Sequence, residues 1–311
     1  MHNARNILYV SNDSGDPTEG MKQALALAAL NGAELTVLLV YPELPKGSRH
    51  LVPRFEEFIA ARLRDSVDSF SAGRNPDEAP ISIVVEGGSK PPAIRAIHRV
   101  LQAGHDLVIK DAEPKAEGRG FRAADMTLLR KCPCTLWLIR PPLRAYEEMH
   151  IAVAVDSEFR DETERDLSIR LLRVADALGK RLQVEPTLLC CWDYEFEEYL
   201  QKSPWLGSVD DHPANTVSSV EHHHRIALDA LIAASGMQGI CHVRHLRGRP
   251  DAVIPLFVDR DSVDILIMGT VARTGISGFI IGNTAENILE EISCSLVALK
   301  PEGFVSPVKV R

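Results

Sequence analysis

Short apolar runs alternate with longer amphipathic stretches along the whole chain, and the alternation occurs twice. Runs such as residues 7–10 and 151–155 contain few polar positions, which favours strands buried on both faces of a sheet. The amphipathic stretches that follow carry apolar residues at the spacing of one helix face. These residues are Met21, Ala24, Leu25 and Ala28 in the first half, and Leu167, Leu171, Val174, Ala175 and Leu178 in the second.

The first helix of each half has the same predicted start. The sequence Asp16-Pro17-Thr18-Glu19 places an acceptor at the N-cap, proline at the first helical position and glutamate at the third. The sequence Asp161-Glu162-Thr163-Glu164 repeats that arrangement without the proline. Gly32 and Gly179 are the predicted ends of these two helices.

The two halves continue to match element by element, which predicts a duplicated domain. Residues 35–40 match 187–192, residues 81–85 match 241–244, residues 106–109 match 264–267, and residues 128–141 match 288–301. Each half therefore contains five predicted strands and four helices. The predicted fold is α/β, with two tandem doubly wound parallel five-stranded sheets of Rossmann-like type. We expect domains at residues 1–142 and 149–301, followed by a tail at residues 302–311.

The composition fits two globular domains and disfavours several classes of partner. The chain has 311 residues, 45% hydrophobic and 25% charged, with a net charge of −8. An acidic chain without a Lys/Arg-rich block is not expected to bind nucleic acid. Residues 1–5 lack the features of a secretory signal, and no apolar run approaches bilayer length, so we expect a cytoplasmic protein with no membrane partner.

The six cysteines lie mostly in or beside apolar runs, which favours buried free thiols over a disulfide framework. Cys132 and Cys134 are separated by one proline, which is neither the CxxC redox spacing nor half of a zinc site.

The residues after the first and fourth strands of each half are the candidate ligand contacts. Doubly wound sheets bind ligands beyond the carboxyl ends of their strands, where the strand order reverses. In the second half these positions hold Asp156 and Met268-Gly269, and a run with four glycines extends from Gly269 to Glu286. Glycines let the backbone approach an anion, and the start of a helix at Asn283-Thr284 directs N–H groups toward it. This pattern predicts a phosphate or nucleotide site, with an ordinary glycine-rich loop as the alternative.

The duplication and the run from Gly269 to Glu286 resemble the universal stress protein family, specifically its tandem members of the E type. ATP-binding members carry glycine, two residues, glycine, nine residues, then glycine and a hydroxyl residue. Gly269 and Gly282 match the first and third glycines, Ala272 replaces the second, and Asn283 replaces the hydroxyl residue, with Thr284 next. The resemblance implies ATP, with Mg²⁺, as the ligand of the C-terminal half.

Three further residues are candidate nucleotide contacts, two of them because of the same resemblance. Asp156 corresponds to the family's aspartate that contacts the adenine and ribose side, and Met268 corresponds to the residue before the loop. Arg273 lies within the run, where its guanidinium could neutralise phosphate charge. In the family the last strand makes dimer contacts, so we expect the two halves to pair as an intramolecular pseudo-dimer, with a homodimer of chains as a further option.

The first half keeps little of this pattern. Asn12 replaces the aspartate, Lys110-Asp111 follows the fourth strand, and residues 112–125 retain only two glycines. We therefore expect a degenerate ligand loop in this half and no ATP.

No catalytic motif accompanies the candidate site, which favours a non-enzymatic stress-response protein. The chain lacks a nucleophile elbow, an HExxH motif and a Walker A lysine. Two alternatives stay open: slow Mg-dependent ATP hydrolysis, and a partner-binding module without nucleotide.

A histidine-rich group in the second half allows two interpretations. His222, His223 and His224 occur on a predicted helix, with His242 and His245 on the next strand. Consecutive helical residues point about 100° apart, which favours a solvated face over a zinc site.

Overall fold

The computed structural model describes residues 4–11, 18–70, 79–113, 115, 118–194, 213–270 and 281–309, without the side chains of residues 213–216. The first half contains β1 (Asn6–Ser11), α1 (Glu19–Asn31), β2 (Glu34–Pro42), α2 (Val52–Phe70), β3 (Ile81–Gly88), α3 (Pro92–Ala103), β4 (Leu107–Asp111), α4 (Ala123–Lys131) and β5 (Thr135–Ile139). The second half contains β6 (Ile151–Val155), α5 (Glu162–Leu182), β7 (Thr187–Trp192), α6 (Pro213–Ser235), β8 (His242–Arg247), α7 (Pro250–Arg260), β9 (Ile265–Gly269), α8 (Asn283–Glu291) and β10 (Ser295–Leu299). Short 3₁₀ turns span Lys46–Leu51 and Tyr146–Glu148.

The strands form one sheet in the order β3-β2-β1-β4-β5-β10-β9-β6-β7-β8. Within each half all pairs are parallel, which confirms the predicted α/β class and its doubly wound halves. The halves join through β5 and β10, which run antiparallel with Leu138 opposite Leu296 and Trp137 opposite Val297. Two five-stranded sheets thus become one sheet of ten.

Both faces of this sheet are buried, as the apolar strands predict. Along β1, Ile7 and Tyr9 pack into one apolar cluster while Leu8 and Val10 pack into another on the opposite face. Burying such a side chain stabilises the fold by about 1.5–3 kcal/mol. The helices therefore cover the two faces and leave the strand ends as the place for a site.

Two predicted helix boundaries were wrong. The N-cap of α1 is Thr18, whose side chain accepts from the backbone N–H of Met21, whereas the predicted cap Asp16 lies outside the described residues. Helix α5 does begin after its predicted cap, Asp161, but it continues through Gly179 to a left-handed Gln183. A Cβ on Gly179 would lie 2.7 Å from the carbonyl oxygen of Val184, so this glycine permits the close return of the chain rather than ending the helix.

The C-terminal tail lies against the first half. The Ser306 hydroxyl donates to the carbonyl of Lys131 at the end of α4 (2.7 Å), and Val308 packs on the apolar cluster of that face. All six cysteines are free thiols, as predicted.

Candidate functional site

The order of the strands reverses between β6 and β9 in the second half. From β6 the chain proceeds to β7 on one side and later crosses to β9 on the other, with Ala154 paired to Met268. Asp156 and Gly269 therefore lie at the carboxyl ends of neighbouring strands, where a doubly wound sheet opens a crevice. The structure thus brings these two predicted residues to one edge.

Asp156 is half-buried and its hydrogen bonds shape its own loop. Its Oδ1 accepts from the backbone N–H of Glu158 (2.9 Å), and its carbonyl accepts from the Ser168 hydroxyl (3.2 Å). The first contact is an Asx turn, which fixes the carboxylate on the loop that leaves the sheet. One oxygen is thereby held in place at the crevice.

Met268 and Gly269 are placed by packing. The Met268 side chain is buried within the apolar cluster of one sheet face, so it packs in the core. A Cβ on Gly269 would lie 3.1 Å from Cδ2 of Leu167, which is a tight contact. The glycine at this position therefore also lets α5 approach β9 closely.

Helix α8 presents an exposed N-terminus at the same edge. Its N-cap is Gly282, which has no side chain to cap the helix, and the side chains of Asn283 and Thr284 are exposed. Gly282 has φ −61°, so its backbone does not demand glycine. The free N–H groups of a first helical turn attract anions. Two more predicted contacts, Ala272 and Arg273, lie outside the described residues.

A buried lysine at the start of the glycine run is a contact that the sequence analysis missed. Lys300 follows β10, and its ammonium donates to the Thr270 hydroxyl (2.7 Å) and to the Leu129 carbonyl (2.5 Å). Thr270 and Lys300 are both buried, and burial lowers the pKa of Lys300 to about 8. The repeat offers a signal, because Arg140 occupies the same position after β5.

A pair of histidines, His224 and His245, lies near the loop that follows β6, next to Asp156. His224 on α6 is buried, and its Nδ1 lies 2.8 Å from Nε2 of His245 on β8. The ring of His245 stacks on Trp192, and the Ser157 hydroxyl lies 3.2 Å from Nε2 of His224. Burial lowers the pKa of both imidazoles.

The predicted solvated face is therefore correct for His222 and His223, which are exposed, and wrong for His224, which turns inward to the sheet edge. Within the part of the chain that the structure describes, no three side chains of metal-binding type converge.

The first half fills the corresponding positions with its own carboxylates. Asp111, the counterpart of Gly269, accepts from the Thr18 hydroxyl (2.6 Å), the Tyr9 hydroxyl (2.8 Å) and the N–H of Gly20 in the first turn of α1 (2.8 Å). These contacts place a negative charge at a helix N-terminus, where it is stabilising.

A second carboxylate lies at the start of α4. Asp125, the counterpart of Ala285, is fully buried, pairs with the ammonium of Lys110 (2.8 Å) and accepts from the N–H of Glu113 (2.9 Å). Burial raises its pKa, and Lys110 opposes that rise. This half thus has one carboxylate at the start of α1 and another within the first turn of α4.

Two doubly wound α/β units in one chain, with an exposed anion-attracting helix start in the second, define a class of tandem proteins with one candidate ligand site. The model of the universal stress protein family matches residues 3–140 and again residues 149–300. The chain belongs to the universal stress protein family, as a tandem member resembling universal stress protein E.

Similar proteins support the same assignment over most of the chain. Universal stress protein E of Photorhabdus laumondii is 25% identical over an aligned length of 326 residues, gaps included. The alignment covers 99% of this chain and 99% of that one. Universal stress protein E of Escherichia coli K12 is 30% identical over 219 residues, 69% of this chain and 66% of that one. The fold is shared with a protein of unknown function from Pseudomonas aeruginosa PAO1, with a TM-score of 0.69 and 23% identity, over 97% of this chain and 94% of that chain.

None of the described helices has both the length and the apolar character needed to span a membrane.

Proposed function

We propose that this tandem universal stress protein binds ATP in its C-terminal half and acts in the stress response by binding rather than by catalysis. The observation that carries the proposal is the exposed start of α8 at the edge where Asp156 and Gly269 meet. An anion at such a helix start gains about 0.3–1 kcal/mol, and about 2 kcal/mol where the geometry is partly buried. The equivalent helix start in the first half already has Asp125.

The proposed contacts divide by chemistry. Asp156 accepts hydrogen bonds from the sugar, and the backbone around Gly269, Ala272 and Gly282 faces the phosphates. Arg273, Asn283 and Thr284 supply donors to the phosphate oxygens, and Met268 supports the strand end from the core. Mg²⁺ would neutralise charge on the phosphates of the bound nucleotide.

The proposed organisation follows the same division. Residues 1–142 form an N-terminal domain with a degenerate loop, residues 149–301 form the ligand-binding domain, and residues 302–311 form the tail. The antiparallel pairing of β5 with β10 supports an intramolecular pseudo-two-fold dimer of the two domains. We place the protein in the cytoplasm, with a homodimer of chains as an outcome that light scattering can test.

Calorimetry with ATP and Mg²⁺ tests the site on the intact chain. We expect one site per chain, abolished by Asp156→Ala and weakened by Asp156→Asn, because the amide keeps the acceptor for Glu158 N–H but removes the charge. The matched control is Asn12→Ala, the counterpart in the first half, which should leave binding unchanged. Loss of binding in Asn12→Ala, or no heat with the intact chain, would refute the proposal.

The same samples separate the two alternatives. Release of phosphate that requires Mg²⁺ and is lost in Asp156→Ala would show hydrolysis at this site. Absence of nucleotide binding in every sample would leave the partner-binding module as the surviving alternative.

A further inference from the structure

Two cysteines of the first half lie close enough to react with each other. Cys132 caps the C-terminus of α4 and Cys134 precedes β5, and their sulfur atoms are 3.6 Å apart. A disulfide bond is about 2.05 Å long, so the two sulfur atoms need to approach by about 1.5 Å. Cys132 is fully buried, whereas Cys134 is partly exposed.

The charge around this pair favours one ionised thiol. A hydrogen bond from Cys134 lowers the pKa of Cys132 more than burial raises it, and the positive charge of Lys300 adds a smaller decrease. The same hydrogen bond raises the pKa of Cys134, which keeps its proton on that sulfur. The Lys300 ammonium donates to the Leu129 carbonyl and the Thr270 hydroxyl. Its positive charge favours a thiolate at Cys132.

The second half provides a natural comparison at the same position. Cys294 corresponds to Cys134 in the repeat, but Ile292 stands where the first half has Cys132. Cys294 is buried, and burial raises its pKa to about 12. Burial likewise raises the pKa of Cys190 to about 12. These thiols are expected to stay protonated and unreactive.

We propose that Cys132 and Cys134 are an oxidisable dithiol, which hydrogen peroxide converts into an intrachain disulfide. The Cys132 thiol loses its proton, and the thiolate sulfur attacks one peroxide oxygen. The O–O bond breaks, and the leaving hydroxide takes up that proton to give water. The Cys134 sulfur then attacks the sulfenic sulfur of Cys132, the S–O bond breaks, and hydroxide leaves with the Cys134 proton as a second water. Two electrons pass from the sulfur pair to the peroxide.

This dithiol lies where the two halves and the tail meet. The end of α4 supplies carbonyls to Lys300 of the second half and to Ser306 of the tail, through Leu129 and Lys131 respectively. A disulfide formed at Cys132 is therefore next to the contacts that hold these segments together.

Hydrogen peroxide treatment of the intact chain, followed by alkylation under denaturing conditions and mass spectrometry, tests the proposal. We expect alkylation of four of the six cysteines, with a peptide containing residues 132–134 lighter by about 2 Da through loss of two hydrogens. Cys294→Ser should leave this product unchanged. Cys134→Ser should stop at a Cys132 sulfenic acid, which dimedone traps.

Lys300→Met is the variant that tests the charge effect, and we expect the disulfide to form about tenfold more slowly in it. Alkylation of Cys132 and Cys134 to the same extent as Cys294 after peroxide would overturn the proposal. Equal rates in Lys300→Met and the parent chain would also overturn it. If Cys134→Ser does not fold, the parent chain and Lys300→Met still decide the outcome.

Discussion

The buried ammonium of Lys300 makes a quantitative prediction about stability and pH. Burial lowers the pKa of this lysine from 10.5 to about 8 in the folded chain, while in the unfolded chain it keeps its ordinary value. A gap of this size corresponds to about 3 kcal/mol between the two protonation states. The residue is only 5% exposed, so solvent screening reduces this figure little.

The sign of the effect follows from which state binds more protons. Between about pH 8 and pH 10.5 the unfolded chain keeps the Lys300 proton while the folded chain has lost it, so this lysine makes the free energy of unfolding rise with pH. The rise amounts to about 1 kcal/mol between pH 7 and pH 9 and nears its full value by pH 10.5. Below about pH 7 both states are protonated, and the contribution no longer changes.

Other groups act in the opposite direction, so the prediction concerns a difference between proteins. Burial raises the pKa of Cys190 and Cys294 to about 12. The folded chain keeps those protons longer than the unfolded chain, and stability falls as the pH rises above about 9. Lys300→Met removes the opposing contribution of Lys300 and leaves these thiols in place.

Urea unfolding of the parent chain, Lys300→Met and the exposed control Lys180→Met, each at several values between pH 7 and pH 9.5, measures the difference. Relative to Lys300→Met, the parent should gain about 1 kcal/mol from pH 7 to pH 9, and Lys180→Met should follow the parent. Parallel curves for the parent and Lys300→Met would refute the reasoning, since they would show that Lys300 titrates alike in both states.

Three further predictions concern the stability of the two halves. Gly20→Ala places a Cβ 2.6 Å from Oδ2 of Asp111 and should cost about 1–3 kcal/mol in urea unfolding, whereas Gly47→Ala, with open space around it, should be nearly neutral; equal effects would contradict this. Asp161→Ala removes the N-cap of α5 and should cost about 1 kcal/mol, and an unchanged midpoint would show that the cap is dispensable. Leu296→Ala, at the fully buried seam between the halves, should cost about 2–5 kcal/mol; a loss below 1 kcal/mol in the same assay would show that the seam contributes little.

The strands and helices could be predicted because each depends on residues close together in sequence. Four apolar residues in a row, such as 265–268, define a buried strand wherever it lies in the sheet. Because the pattern occurs in both halves, each element is predicted twice. The boundary errors were local as well: both Asp16 and Thr18 are good caps, and only the path of the chain selects Thr18.

The side-chain contacts that the sequence did not predict join residues far apart along the chain. Lys300 contacts Leu129, which is 171 residues away, and Asp111 contacts Gly20 across 91 residues. A lysine before a proline and an aspartate at the end of a strand can each have many different partners. The sequence alone does not show which partner each one contacts. His224 was misjudged for the same reason, because its partner His245 becomes a neighbour only when α6 packs on the sheet.

The two halves differ in the residues that lie near their helix N-termini. Both halves bring helix N-termini to the carboxyl edge of the sheet, and uncapped N–H groups at such a place favour an anion. In the first half Asp111 accepts from the N–H of Gly20 in the first turn of α1, and Asp125 lies in the first turn of α4. In the second half Gly269 and Ala285 occupy the same positions and carry no charge. These two differences support the proposed division between a structural first half and a ligand-binding second half.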